Sequence, residues 1–214
     1  LYRNQGDGTF AKTNFDAEFL RAPGVFGDYD NDGCLDVYIV RSGEMPSLDA
    51  KGLPDVLFKN NCDGTFTDVT EQAGIHGLYH GMSASWADYN NDGYLDIYVL
   101  NRGILLGDAL AILTIPYKFE PNILYRNNGD GTFTDVTDEA GADGILDCDE
   151  YKADPNGLVR KMKLPFQSVW FDYNNDNRID LFLVSDSFTS PLYRNNGDGT
   201  FTQVTREAGL CLYE

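Results

Sequence analysis

The chain has 214 residues, 42% of them apolar and 13% aromatic, which excludes a disordered acidic tail and suffices for one sizeable core. Its formal charge of −18, from 34 acidic against 16 basic residues, argues against nucleic acid or an anionic membrane surface as partner and favours cations, calcium first. No run approaches the eighteen or more apolar residues of a membrane span, so no membrane-spanning helix is expected.

The chain opens on "LYRNQGDGTF" from Leu1, two short runs around an Asn, Gly and Asp centre. Gly and Asn tolerate the positive φ of tight turns, so this stretch predicts a β-hairpin. The same pattern returns as "LFKNNCDGTFTDVTEQAG" from Leu57, "LYRNNGDGTFTDVTDEAG" from Leu124 and "LYRNNGDGTFTQVTREAG" from Leu192. Because the first residues read as mid-repeat sequence rather than a leader, a piece of a longer protein is expected.

After the degenerate "FAKTNFDAEF" comes a short run with an aromatic residue two places before an Asp, "GVFGD" with Phe26. Its counterparts are "SASWAD" with Trp86 and "QSVWFD" with Trp170, two tryptophans that read as blade core because they hold equivalent positions. Each run leads into an acidic motif, "DYDNDGCLDVYIV" from Asp28, "DYNNDGYLDIYVL" from Asp88 and "DYNNDNRIDLFLV" from Asp172. The second half of each is apolar on both alternating faces, as in a strand buried on both sides.

Two motifs that alternate along the whole chain define one repeat array over residues 1–214, each repeat being four strands. Hairpin starts lie 56, 67 and 68 residues apart, longer than the roughly 40 to 50 of a propeller blade, and inserted loops at Arg41 to Val56, Asn101 to Ile123 and Ala142 to Lys163 account for the excess. "ALAILTIPY" from Ala109 is too short to assign as strand or helical turn. Tandem four-stranded antiparallel units bury their faces by packing sheet on sheet around an axis, so the expected fold is all-β, a β-propeller of about three and a half blades. A β-sandwich does not predict the four-strand period. The uncovered end blades call for the rest of a longer propeller, or for a second copy that completes a ring.

Numbered from the first Asp, the acidic motif places oxygen side chains at positions 1, 3, 5 and 9. They are Asp28, Asp30, Asp32 and Asp36, then Asp88, Asn90, Asp92 and Asp96, then Asp172, Asn174, Asp176 and Asp180. The backbone carbonyl at position 7, of Cys34, Tyr94 or Arg178, can turn inward to join them. Calcium takes about six to eight hard oxygen ligands in flexible geometry, so about three ions are expected, one per loop. Magnesium demands a stricter octahedron. An EF-hand would need Glu at position 12, where Ile39, Val99 and Leu183 stand inside strands. A plain acidic turn leaves carboxylates repelling one another by about a kcal/mol or more per pair.

These residues resemble the FG-GAP or VCBS repeats of integrin α-like propellers. The fuller "LYRNNGDGTFTDVTDEAG" with "SWADYNNDGYLDIYV" is similar to the branch related to cartilage acidic protein and the ASPIC/UnbV proteins. The resemblance implies a seven-bladed propeller with calcium on its loops, an extracellular or cell-surface setting and an adhesive or ligand-binding role. Cys62 in place of the hairpin Gly, and Asn177 in place of the loop Gly, depart from the pattern.

Four cysteines, Cys34, Cys62, Cys148 and Cys211, have no C-x-x-C spacing, and disulfides and free buried thiols are both open. The expected function is a non-enzymatic module whose inserted loops meet a protein or glycan, since binding sites concentrate on loops held by rigid scaffolds. The alternative is a carbohydrate-binding or carbohydrate-processing propeller. A hydrolase or metalloenzyme is disfavoured. His76 and His80 form H-x-x-x-H in a glycine-rich stretch unsuited to a helical zinc pair, and "GMSAS" lacks the second Gly of a nucleophile elbow.

Overall fold

All four hairpin motifs form hairpins, because each centre satisfies its own backbone. In the third copy the Asn127 side chain accepts the Gly129 N–H at 2.9 Å, and Asp130 accepts both the N–H and the hydroxyl of Thr132. The computed structural model describes residues 2–12, 22–42, 52–102, 104–105, 117–118, 120–144, 148, 165–185 and 190–211. The hairpins are β1 (Tyr2–Asn4) with β2 (Phe10–Lys12), β5 (Val56–Asn60) with β6 (Phe66–Asp68), β11 (Ile123–Asn127) with β12 (Phe133–Asp135), and β15 (Leu192–Asn195) with β16 (Phe201–Gln203).

The aromatic runs become β3 (Gly24–Gly27), β7 (Gly81–Ala87) and β13 (Pro165–Phe171), and the strands after the acidic loops are β4 (Asp36–Ile39), β8 (Asp96–Asn101) and β14 (Asp180–Ser185). Three four-stranded antiparallel sheets result, β3-β4-β5-β6, β7-β8-β11-β12 and β13-β14-β15-β16, each one complete blade. In each the acidic loop joins the first strand to the second, and the hairpin supplies the outer pair. The β1–β2 hairpin forms a separate two-stranded sheet. The second insertion adds a pair beyond the four strands expected of each repeat, β9 (Ile104–Leu105) with β10 (Tyr117–Lys118). Of "ALAILTIPY" only Tyr117, the first residue of β10, lies among the described residues. A single helical turn, α1 (Thr137–Ala140), follows β12.

Strands β3, β7 and β13 lie side by side, so successive blades pack along their first strands. The joint is aromatic. Trp86 of the second blade lies parallel to Tyr29 of the first at 6.4 Å and meets Tyr38 edge-on at 6.3 Å. Trp170 of the third blade meets Tyr98 of the second edge-on at 6.0 Å, as expected for tryptophans in the blade core. The hairpin phenylalanines complete the set, Phe133 at 5.6 Å from Tyr29 and Phe201 at 5.6 Å from Tyr89. Two core clusters, one per joint, follow from this arrangement.

Gly27 has no side chain because Trp86 takes its place: a Cβ there would lie 2.8 Å from the indole ring. Gly27→Ala is expected to destabilise the protein by about 1–3 kcal/mol through overpacking, read by denaturant unfolding. An unchanged midpoint would mean that the indole yields freely.

Beyond β4, Asp55 ties the first blade together by accepting from the Tyr38 hydroxyl at 2.8 Å and the Arg41 N–H at 2.7 Å. Burial pushes its carboxyl up to about 6. A carboxyl raised on folding contributes stability that is fully present below its ordinary value near 4 and is lost as pH rises through 6. Asp55→Asn should therefore flatten the part of the stability profile between pH 4 and 6, measured by urea unfolding against wild type; an identical slope in both would refute the assignment.

Candidate cation loops

Each acidic motif folds as a run of bends between first and second strands, with its position-1 carboxylate turned inward onto the loop's own backbone. Asp28 accepts the N–H groups of Asp32 at 3.1 Å and Gly33 at 3.0 Å. Asp88 does the same for Asp92 and Gly93, and Asp172 for Asp176 and Asn177. Asn177 adopts φ 64° where Gly33 and Gly93 adopt 89°, so the departure is accommodated by the residue best able to reach that region after Gly.

The position-9 carboxylates sit deepest. Asp36, Asp96 and Asp180 are 0%, 1% and 0% exposed. Each accepts two backbone N–H groups, one from position 2 of its own loop and one from the hairpin. Asp36 takes Tyr29 and Asn60, Asp96 takes Tyr89 and Asn127, Asp180 takes Tyr173 and Asn195. Burial raises all three, Asp36 to about 6 and Asp96 to about 7, against the lowering effect of those N–H groups. An uncompensated negative charge is therefore costly at these three positions.

The three loops differ in what already neutralises them. In the first, carboxylate oxygens of Asp28, Asp30 and Asp36 lie within 4.8 Å of one another. The Lys59 ammonium sits against Asp30 and, at 2.6 Å, Asp32. Burial works to lower the Lys59 pKa, but hydrogen bonds to Asp30 and Asp32 outweigh it and hold the group above its ordinary value. Asp30 Oδ1 remains buried with no hydrogen-bond partner. Asp32 lies beside this cluster, and its Oδ1 accepts the Cys34 N–H at 2.9 Å. In the third loop the Arg178 guanidinium pairs with Asp176, and its Nε donates to Asn195 O at 3.1 Å. The second loop has no side-chain cation paired with it among the described residues. In the second and third loops Asn90 and Asn174 direct their amide N–H to Asp92 and Asp176, at 2.7 and 2.9 Å, while their carbonyl oxygens accept backbone N–H groups.

Position 7 also packs onto the hairpin turn. Tyr94 covers Gly129, where a Cβ would lie 2.9 Å from the ring, and Arg178 covers Gly197 in the same way. In the first blade the pair is Cys34 and Cys62, joined as a disulfide. Cys62 holds φ 62°, a conformation its counterparts reach as Gly. A second disulfide ties Cys148 of the third insertion to Cys211 beyond β16. Both bridges decide between alternatives that spacing left open. A signal for the first was present, since Cys34 and Cys62 fall in one repeat, at loop position 7 and at the hairpin glycine.

The histidines separate: His76 is exposed, whereas His80 is fully buried with Nδ1 3.1 Å from Glu120 and its N–H donated to the same carboxylate. They do not converge on one site, and the buried Glu120 pairing had no counterpart in the sequence pattern. Among the described residues no helix is long and apolar enough to cross a membrane.

The blades and loops agree with a family match. Residues 41–99, from the first insertion through the second acidic loop into β8, match the FG-GAP-like repeat family. This stretch is similar to an FG-GAP-like repeat. A segment of 45 residues is 44% identical to cartilage acidic protein 1 of Xenopus tropicalis, covering 21% of this chain and 7% of that protein. The human protein of the same name matches with the same figures. The match thus spans about 7% of the length of the curated relatives. The matched residues hold the hairpin of the first blade and the acidic loop of the second, and the same loop and hairpin geometry recurs in all three blades, with Asn177 and Arg178 as the local departures in the third.

Proposed function

We propose that this chain is a calcium-binding, non-enzymatic propeller module of the extracellular space or cell surface, in which calcium stiffens the inter-strand loops and the inserted loops meet a protein ligand. The observation that carries the calcium reading is the first loop: three carboxylates within 4.8 Å, an orphaned buried oxygen on Asp30, and an ammonium drawn in as the available cation. Hard oxygen donors suit calcium, which when bound cross-links side chains that otherwise repel one another. Asp28, Asp30, Asp32 and Asp36 would hold it in the first loop, Asp88, Asn90, Asp92 and Asp96 in the second, and Asp172, Asn174, Asp176 and Asp180 in the third, with the carbonyls of Cys34, Tyr94 and Arg178. Calorimetric titration of calcium-free protein tests the reading; no heat of binding would end it.

The loops are expected to differ. Lys59 competes with an incoming ion in the first loop and Arg178 in the third, so the second binds tightest. Lys59→Gln should tighten the first site about fivefold, the equivalent of about 1 kcal/mol for a partly exposed ion pair, measured by the same titration. Weaker binding in that variant would show that the ammonium helps shape the site.

The two disulfides suit an oxidising compartment. The name of the matched relatives, with its reference to cartilage, points the same way. A second reading, carbohydrate binding, has one feature in its favour. A cleft of about 630 Å³ runs along β3, β7 and β13, lined by Phe26, Ser83, Ser85, Trp86, Phe166 and Ser168, with rings and hydroxyls in reach of a sugar. A glycan array separates the two readings.

The outward face of the third blade is a proposed docking site for a further blade of the same kind. Tyr29 and Tyr89 are 3% and 2% exposed beneath the next blade, whereas their counterpart Tyr173 is half-buried.

A further inference from the structure

Three buried carboxylates, one from each blade, lie on a single unbroken series of hydrogen bonds. Asp36 accepts the Tyr29 N–H at 3.2 Å. The Tyr29 carbonyl, in the first loop, accepts the side-chain amide of Asn127 from the second blade at 2.8 Å. Asn127 donates its backbone N–H to Asp96 at 2.8 Å. Asp96 accepts from Tyr89 at 3.2 Å, and the Tyr89 carbonyl accepts the amide of Asn195 from the third blade at 2.7 Å. Asn195 donates its N–H to Asp180 at 2.7 Å, and Asp180 accepts from Tyr173 at 3.1 Å.

Asn127 and Asn195 are 2% and 1% exposed, and each amide spends its second hydrogen on its own loop, at the carbonyls of Leu95 and Ile179. One side chain therefore holds two successive loops at once. Its oxygen is taken by the hairpin turn, at Gly129 or Gly197, so the amide cannot rotate away without orphaning buried groups. A parallel link on the surface runs from the Asn31 amide to the Gly93 carbonyl at 3.0 Å. By contrast Asn4, in the exposed β1–β2 hairpin, holds only its own turn at Gly6.

We propose that Asn127 and Asn195 are positioning residues that couple the cation loops of adjacent blades, so that an ion in one loop strengthens binding in the next. This rests on the calcium reading. An ion that draws Asp28, Asp30 and Asp36 together sets the path of Tyr29 between them. The Tyr29 carbonyl sets Asn127, and Asn127 sets the Asp96 carboxylate and the Leu95 carbonyl of the second loop. In a buried polar series with no slack, geometry at one end constrains the other.

The test is a double-mutant cycle read by calorimetric titration with calcium chloride, using wild type, Asp30→Ala, Asn127→Ser and the double variant. In wild type, losing Asp30 should weaken the remaining sites at least about fivefold, within the range of measured site-to-site couplings. In the Asn127→Ser background the same loss should leave them unchanged. A role confined to stability would lower the melting temperature while leaving the cycle additive, with Asp30→Ala acting equally in both backgrounds; that result overturns the coupling and leaves the calcium reading intact. No heat in wild type overturns both, before any variant is made. Asn4→Ser should change nothing, and a shift in affinity there would also refute the assignment. If Asn127→Ser does not fold, Asn195→Ser with Asp172→Ala poses the same question at the second joint.

Discussion

Calcium-free protein is expected to melt well below the calcium-loaded form. A ligand that binds only the folded state at a hundredfold excess over its dissociation constant contributes about 2.7 kcal/mol per site. For a chain of this size that is worth roughly 5–10 °C per site. The physical origin lies in the loops. Asp36, Asp96 and Asp180 are removed from water by the strands behind them, and Asp28, Asp88 and Asp172 are held on the loop backbone close by. Among the described residues, the side-chain cations that relieve this charge are Lys59 and Arg178, beside the backbone N–H groups, and burial favours protonation of the deepest carboxyls. Differential scanning fluorimetry in calcium and in chelator reads the difference directly. Asp92→Ala should remove one of about three calorimetric binding events. Equal melting temperatures with and without chelator would sink the proposed role of the loops.

Opening the Cys34–Cys62 bridge is the second large effect. The bridge spans 28 residues of chain, and loop-closure entropy for that separation corresponds to about 3.5 kcal/mol. Cys34→Ser with Cys62→Ser should cost about that much in urea unfolding, and should weaken the first cation site, because Cys34 lies between the ligands Asp32 and Asp36. A more informative variant copies the second blade. Tyr94 packs over Gly129 where the first blade has its bridge, so Cys34→Tyr with Cys62→Gly should recover part of the loss by relieving the left-handed backbone at residue 62. If the serine pair is as stable as wild type under oxidising conditions, the bridge contributes nothing in the folded state and this account of the first blade fails.

The alternation of hairpin and acidic motifs was enough to place every hairpin and every buried second strand, because both depend on local chemistry. Turns need residues that tolerate positive φ, and strands such as "LDIYVL" have no polar face to give to water. The clustering of Asp28, Asp30 and Asp36 in the first loop follows from the same local geometry, whereas Asp32 lies beside that cluster. Local pattern could not show that Lys59 enters the first loop, since Arg3, Arg126 and Arg194 stand at the equivalent hairpin positions and the difference matters only once the hairpin folds back onto the loop. Nor could it show that Asn127 and Asn195, which read as turn formers, also reach across to the blade before.

By itself, then, the sequence determined the four-strand repeat, the all-β class and the acidic loop ahead of each second strand, all of which are local features of short segments. The tertiary structure alone decided the pairing of Cys34 with Cys62, the burial of His80 against Glu120 and the joining of three loops through two asparagine amides. Those contacts link residues from about thirty to more than a hundred positions apart. They exist only because packed sheets bring distant segments within hydrogen-bond reach and leave buried polar groups no other partner.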